Sequence, residues 1–321
     1  MRNQIIGWII FNVFVVCRPV AQAQLSQPSD TLNTKRVRSA MVVGASTYAI
    51  AGVWMYTSWY EDTKRTSFHT FDDWNEWRNM DKYGHALTAQ YQSYLAFKGA
   101  RWCGIEENKS ILIGAGTAML LQTTVEVMDG FSDKWGFSWA DMGFNAAGAG
   151  LFAVQQQLWH EQRIRLKISA SVKSYSNRPI LGTRGEATTT LEERTDDLFG
   201  APVHERLLKD YNAQTYWVSA NLHSFLPESK LPKWLNISIG IGAESMYGGF
   251  ENQWTTESGI FVVGDQRYSE FYLSPDIDWT RIETKSWVLN TIFDLVSVIK
   301  FPLPGVRYDK NNGLDWRWVA Y

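Results

Sequence analysis

The stretch WADMGFNAAGAGLFAVQQQLWHEQRIRLKISASV, residues 139–172, carries two different periods. Up to Trp159, small residues (Gly143, Ala146, Ala147, Gly148, Gly150) stand among large apolar ones. Ser138, Asp141, Asn145 and Gly148 recur at intervals of three, four and three, which puts them on one face of a helix. Beyond Arg163 the interval drops to two: Ile164, Leu166, Ile168, Ala170 and Val172 alternate with polar residues, the pattern of a half-exposed strand. The chain therefore changes structural class near residue 163.

Upstream, the same reading predicts further helices over Ala40–Tyr60, Asp81–Ala100 and Ser110–Met128, with Ser67–Trp77 as a loop or short helix. Together with Trp139–Trp159 this gives about four apolar helices. Their small residues, Gly114 and Gly116 included, would let helices approach closely. Helices this apolar are buried in a bundle or lie in a bilayer, and the acidic residues on them must face inward. Downstream, alternation marks strands over Leu235–Ile241 and Phe271–Trp279, with others at Tyr216–Phe225 and Gly313–Tyr321. Ile282–Ile299 reads as an amphipathic helix ended by Phe301-Pro302-Leu303-Pro304, and Arg178–Asp210 as a polar excursion with a short helix near its end. The expected fold is α+β: an N-terminal apolar helical bundle over residues 34–162, then a small antiparallel β domain with one amphipathic helix over residues 163–321.

The N-terminus carries Arg2, an apolar run from Ile5 to Cys17, Arg18-Pro19 and then Ala21-Gln22-Ala23. The run has the length of a signal-peptide core, and the small residues suit a signal peptidase, so residues 1–23 are expected to be cleaved. Phe14-Val15-Val16 supplies no small residue beside Cys17, which argues against lipid attachment there. Cleavage would leave Cys103 as the single thiol, read as a small buried hydrophobe. A net charge of -2 gives no electrostatic case for nucleic acid as a partner. Sixteen Trp, fourteen Tyr and sixteen Phe are instead the rings favoured at membrane–water boundaries. The final Asn311-Asn312-Gly313-Leu314-Asp315-Trp316-Arg317-Trp318, ending at Tyr321, resembles the terminal strand signal of outer-membrane barrels and reads equally as the last amphipathic strand of a soluble sheet. Five or six strands fall short of the eight expected of a closed membrane barrel, so a complete barrel is not expected.

Three helices carry polar stripes: Asp81, Lys82 and His85, followed by Thr88 and Gln92; then Gln122, Glu126 and Asp129; then Ser138, Asp141 and Asn145. Three stripes on consecutive apolar helices converge most simply on one buried polar site. Such a site can be a self-satisfied network that fixes helix register. It can also bind a ligand such as a lipid headgroup, or hold a metal or an acid–base pair through His85, Glu126, Asp129 and Asp141. No cofactor is required by the sequence. His69, His160, His204 and His223 lack a carboxylate at suggestive spacing and read as surface residues.

The set Asp81-Lys82-x-x-His85, Glu126-x-x-Asp129 and Ser138-x-x-Asp141-x-x-x-Asn145-x-x-Gly148 resembles the motifs of VanZ-like membrane proteins. It is more similar to the YfiM-like envelope family, described as predicted periplasmic lipoproteins of unknown function. Longer Bacteroidetes members resemble this chain over most of its length, through 208–217, 232–236, 240–244 and 272–278. VanZ-like proteins tend to have Tyr sooner after the His than Tyr91 stands here, and Gln where Asp129 stands. The resemblance implies an envelope location and a shared polar site, and supplies no reaction. The expected role is a non-catalytic envelope protein at the outer membrane or its periplasmic face. It would bind a lipid, a cell-wall component or an outer-membrane protein partner. The rival readings are an envelope hydrolase, metal-dependent or not, acting on lipid or glycan headgroups, and a structural subunit of an outer-membrane assembly.

Overall fold

In the helical half, apolar spacing and end-capping residues set the elements. A computed structural model describes residues 28–61, 63–185, 188–256 and 259–321. The expected signal segment 1–23, its cleavage site and Cys17 lie outside these residues. Helix α1 (Thr34–Met55) starts where the Asn33 side chain accepts hydrogen bonds from the backbone of Lys35 and Arg36. Helices α2 (Met80–Trp102), α3 (Glu107–Gly130) and α4 (Trp139–Trp159) follow, the last capped by Ser138. Two glycines set how closely these three pack. A Cβ on Gly148 would lie 2.0 Å from the Ala86 carbonyl oxygen, and one on Gly114 would lie 2.6 Å from that of Ser93. Tyr94, Phe97, Ile111 and Phe152 fill the space between the helices. Gly116, Gly143 and Gly150 have nothing within 4 Å, so they serve no such approach, contrary to expectation.

Helix α1 buries none of its residues. It touches the others through Arg36, stacked on Trp102, and through a Tyr48–Thr124 hydroxyl contact. The helical part is therefore three tightly packed helices with a fourth alongside, a looser arrangement than a four-helix bundle. Cys103 is a buried free thiol, as its apolar setting suggests.

The strands of the main sheet run β1 (Ile164–Ala170), β2 (Gln214–Asn221), β3 (Leu235–Glu244), β4 (Tyr268–Ile277), β5 (Leu303–Asp309) and β6 (Gly313–Ala320), with two short two-stranded pairs apart from it. They pair in chain order, each antiparallel to the next. The 178–210 excursion carries helices at Leu191–Phe199 and Val203–Lys209, two where one was expected. The amphipathic helix is Trp287–Val296. Strand β5 was not foreseen. Its Pro304, which in sequence reads as part of a helix stop, sits near the strand's start, where a missing N–H is tolerated.

The sheet curls strongly. Strands three places apart in a flat sheet lie about 14 Å from each other, yet Lys167 on β1 meets Asp276 on β4 at 2.7 Å. The free edge of β1 is taken up at Ile168, whose N–H donates to the Val298 carbonyl and whose carbonyl accepts from the Lys300 N–H. Nearer its start, the same strand bonds the side-chain amides of Gln90 and Gln155 from α2 and α4. Met80 and Leu87 of α2 pack on Tyr216, Ala243 and Met246, so helices and sheet share a core cluster.

The curl turns the alternating pattern inside out. The side of the sheet that closes on itself holds Lys167, Ser219, Ser238, Asp276 and Lys300, all fully buried. The opposite side carries Ile239, Leu314 and Trp318 at 64%, 74% and 77% exposure. A soluble sheet buries its apolar face and wets its polar one. Here only the part of the apolar side against α2 is covered.

Candidate functional site

The polar site sits where α2, α3 and the start of α4 meet. Asp81, Lys82 and His85 come from the first turns of α2, which leaves a tight left-handed turn at Trp77, Arg78 and Asn79. Positive φ is costly for residues with a Cβ. The Trp77 N–H donating to the Gly249 carbonyl, and the Trp77 ring lying on Phe199 and Tyr211, hold the turn in place. This turn brings the loop residues Asp73 and Glu76 to the site. Glu126 and Asp129 come from the last turns of α3, and Ser138, Asp141 and Asn145 from the first turns of α4.

Lys82 is fully buried, and its ammonium group is the hub. It donates to Asp73 Oδ2 at 2.5 Å and Asp81 Oδ2 at 2.9 Å, and pairs with Asp141 Oδ1 at 2.8 Å. Ser138 links three elements. Its Oγ accepts from the Asp141 N–H and donates to Asp73 Oδ1 at 2.7 Å, while its backbone N–H donates to Glu126 Oε2 at 3.1 Å. His85 stands on the other side of Asp141. Its Nδ1 lies 3.1 Å from Asn145 Oδ1 and 3.6 Å from Glu126 Oε1, and its Nε2 lies 3.7 Å from Asp141 Oδ2. The His85 side chain is 20% exposed and gives the cluster its contact with the surroundings.

Seven predicted residues thus meet: Asp81, Lys82, His85, Glu126, Ser138, Asp141 and Asn145. Asp129 stands to one side, accepting a 2.6 Å hydrogen bond from the Tyr60 hydroxyl, and is not among the grouped metal-capable residues. Gln92 and Gln122 bond each other rather than the cluster. Asp73 and Glu76 escaped the sequence reading because they lie outside the periodic helices, and Tyr60 because it ends an expected helix that carries no polar stripe. The only signal for Asp73 was an acidic residue in an aromatic loop. Of the other histidines, His160 pairs with Glu107 at the surface.

The charges do not balance. Asp73, Asp81, Glu126 and Asp141 face the Lys82 ammonium and the His85 imidazole, with Glu76 and Asp129 nearby. Burial raises Glu126 to about 8, with the charges of Asp141 and Asp129 adding to it. Burial raises Asp129 to about 7 and Glu76 to about 7, and Asp141 also lies above the ordinary range. Asp73 moves the other way. Its lost hydration is outweighed by hydrogen bonds to Asp141, Lys82 and Ser138. Burial opposes the charge on Lys82, but Asp81 and Asp141 outweigh it and hold the ammonium protonated.

Two groups of residues have donor atoms close enough to share a metal ion: His85, Glu126 and Asp141; and Asp73, Asp81 and Asp141. In the second group the Lys82 ammonium already lies among the three carboxylates. In the first, Glu126 Oε1 and the Asn145 amide nitrogen are buried with no hydrogen-bond partner.

Residues 70–157, a little over a quarter of the chain, match the model of a family described as predicted periplasmic lipoproteins (DUF2279). The matched segment contains every residue of the cluster except Tyr60 and ends before the sheet. The description agrees with the envelope setting implied by the YfiM-like resemblance. No curated protein and no solved structure matches the chain.

Proposed function

We propose that this is a non-catalytic protein of the cell envelope, seated against lipid at the outer membrane through its outward apolar faces, with the polar site as its ligand-binding centre. The observation that carries the reading is the inverted sheet. Fully buried Lys167, Asp276 and Lys300 lie inside, while Ile239, Phe271, Leu273, Tyr308 and Trp318 lie outside. In water such a surface forfeits about 1.5–3 kcal/mol for each large apolar side chain left exposed. Against acyl chains it forfeits nothing. Leu112 and Leu120 of α3, Val154 and Leu158 of α4 and Leu295 of the Trp287–Val296 helix point outward in the same way. The envelope family matched by residues 70–157 supports the compartment.

The excess of carboxyl groups makes the centre selective for positive charge or hydrogen-bond donors over phosphate. Binding is favoured over catalysis because nothing in the cluster pairs a nucleophile with a base. Ser138, the one hydroxyl at its centre, is committed to capping α4 and to Asp73. Envelope fractionation of the full-length protein tests the seat. Recovery with outer membranes is expected, and quantitative recovery as a soluble periplasmic protein would overturn it.

A further inference from the structure

We propose that His85, Glu126 and Asp141 together bind one divalent transition-metal ion of the zinc type. The inference rests on reading the cluster as a binding centre and names what it binds.

Three observations support it. First, Glu126 is 1% exposed and its Oε1 has no hydrogen-bond partner, although it points at the His85 ring. A buried acceptor left unpaired is costly, and a ligand that pairs it removes that cost. Second, the imidazole stands 3.6 Å from one carboxylate and 3.7 Å from the other, too far for a hydrogen bond to either. The two spacings run from different ring nitrogens, and with Nδ1 held by Asn145 the ion would bind Nε2, beside Asp141 Oδ2, with Glu126 brought round to it. Bonds of about 2.1 Å would then place tetrahedral ligands about 3.4 Å apart. One donor atom from each of the three residues lies within 4.8 Å of the others, so modest side-chain movement closes the set. Third, the Lys82 ammonium is committed to Asp73, Asp81 and Asp141, which leaves Glu126 without a lysine or arginine partner in the cluster.

The ligand set selects the ion. One imidazole nitrogen with two carboxylate oxygens suits Zn²⁺ or its neighbours, whereas Mg²⁺ and Ca²⁺ take oxygen alone. Asn145 is a positioning residue. Its Oδ1 lies 3.1 Å from His85 Nδ1, the kind of outer contact that orients a ligating imidazole. The partial exposure of His85 provides a path for entry.

The test uses full-length protein in detergent, stripped with chelator, loaded with Zn²⁺ and desalted. One zinc per chain is expected by elemental mass spectrometry. Glu126→Gln and His85→Ala should bind at least tenfold more weakly, Asn145→Ala about 10–100-fold more weakly, and the surface variant His160→Ala as the wild type does. Co²⁺ loaded into the wild type should show the visible bands of a nitrogen and oxygen site. This readout is independent of whether any variant folds. A thiolate charge-transfer band would move the ion to Cys103 and overturn the proposal, as would wild type without zinc or Glu126→Gln with unchanged affinity. Membrane recovery is scored separately, so the lipid seat and the ion can each fail alone.

Discussion

Both halves of the molecule bury charge, and they do so by different rules. Inside the sheet each buried acid has a cation. Lys167 meets Asp276 at 2.7 Å, Arg281 meets Asp278 at 3.3 Å, and Arg307 meets Glu270 at 2.7 Å and Asp309 at 3.3 Å. Lys300 lies over the Trp217 ring and donates to Ser274 and to the Phe301 carbonyl. Between the helices, four carboxyls converge on one ammonium and one imidazole. A balanced interior supports a fold and binds nothing further. An unbalanced one is held together at a cost and is where a ligand is recruited.

The sharpest way to break this contrast is to remove the hub. Lys82→Met leaves three carboxylates buried together, and the loss should reach or exceed about 3–5 kcal/mol. Thermal or denaturant unfolding in detergent measures it. A loss below 1 kcal/mol, about the worth of an exposed pair, would show that the cluster is not sealed as described. Lys167→Ala should cost a similar or slightly smaller amount, about 3 kcal/mol, by removing the cation that pairs with Asp276. Because the sheet interior is balanced, Lys167→Met combined with Asp276→Leu should recover most of that loss. Failure of the double change to recover stability would mean the pair does more than cancel charge.

A third expectation concerns pH. Burial lowers Lys300 from its ordinary 10.5 to about 8, with Asp276 opposing the shift and Lys167 adding to it. Below pH 8 both folded and unfolded chains carry this proton, and the cost of burying the charge is fully present. Between pH 8 and 10.5 the unfolded chain keeps the proton that the folded one gives up, so this residue's contribution to stability rises with pH. The Lys300→Met variant should lack that rise. Parallel stability curves for the two proteins would sink the assignment.

Glu126→Gln should do little harm to metal-free protein, within about 1 kcal/mol of wild type and on the stable side if anything. Burial already raises Glu126 to about 8, so at neutral pH the change replaces a largely neutral carboxyl, one of whose oxygens has no partner, by a neutral amide. A strongly destabilised Glu126→Gln would show that this carboxylate belongs to a self-satisfied network, and the distinction between the two interiors would fall.

Much of this was legible in the sequence, for reasons that differ by element. The helix α4 was legible to the residue because its small and apolar residues run from Trp139 to Trp159, and the Ser138 cap fixes its start in the structure. The convergence of Asp81, Lys82, His85, Glu126 and Asp141 followed from face periodicity alone. Asp73 was illegible because a loop has no period, and the left-handed turn that delivers it contains no glycine to announce it. Strand β5 was hidden by Pro302 and Pro304. The alternation of β1 through β4 was plain, but a period of two does not say which face is inside. That was settled only by the curl that brings Lys167 to Asp276.

The smallest expected effect on stability tests the outer face. Trp318 is 77% exposed and meets only the edge of Trp316. Changing both to Ser removes little packing, so unfolding in detergent should shift by less than about 0.5 kcal/mol, as for an ordinary surface change. The same change deletes two large apolar side chains from the face proposed to meet lipid, each worth about 1.5–3 kcal/mol on transfer out of water. Recovery with outer membranes should therefore fall while the fold is untouched. A matching pair on the inner side, Ser219→Ala with Ser274→Ala, should do the reverse, weakening the fold through lost hydrogen bonds to Asp276 and Lys300 and leaving membrane recovery alone among the molecules that fold. If the Trp pair destabilised the protein and left recovery unchanged, the exposed face would be part of the fold's own support, and the inversion of the sheet would have no lipid to explain it.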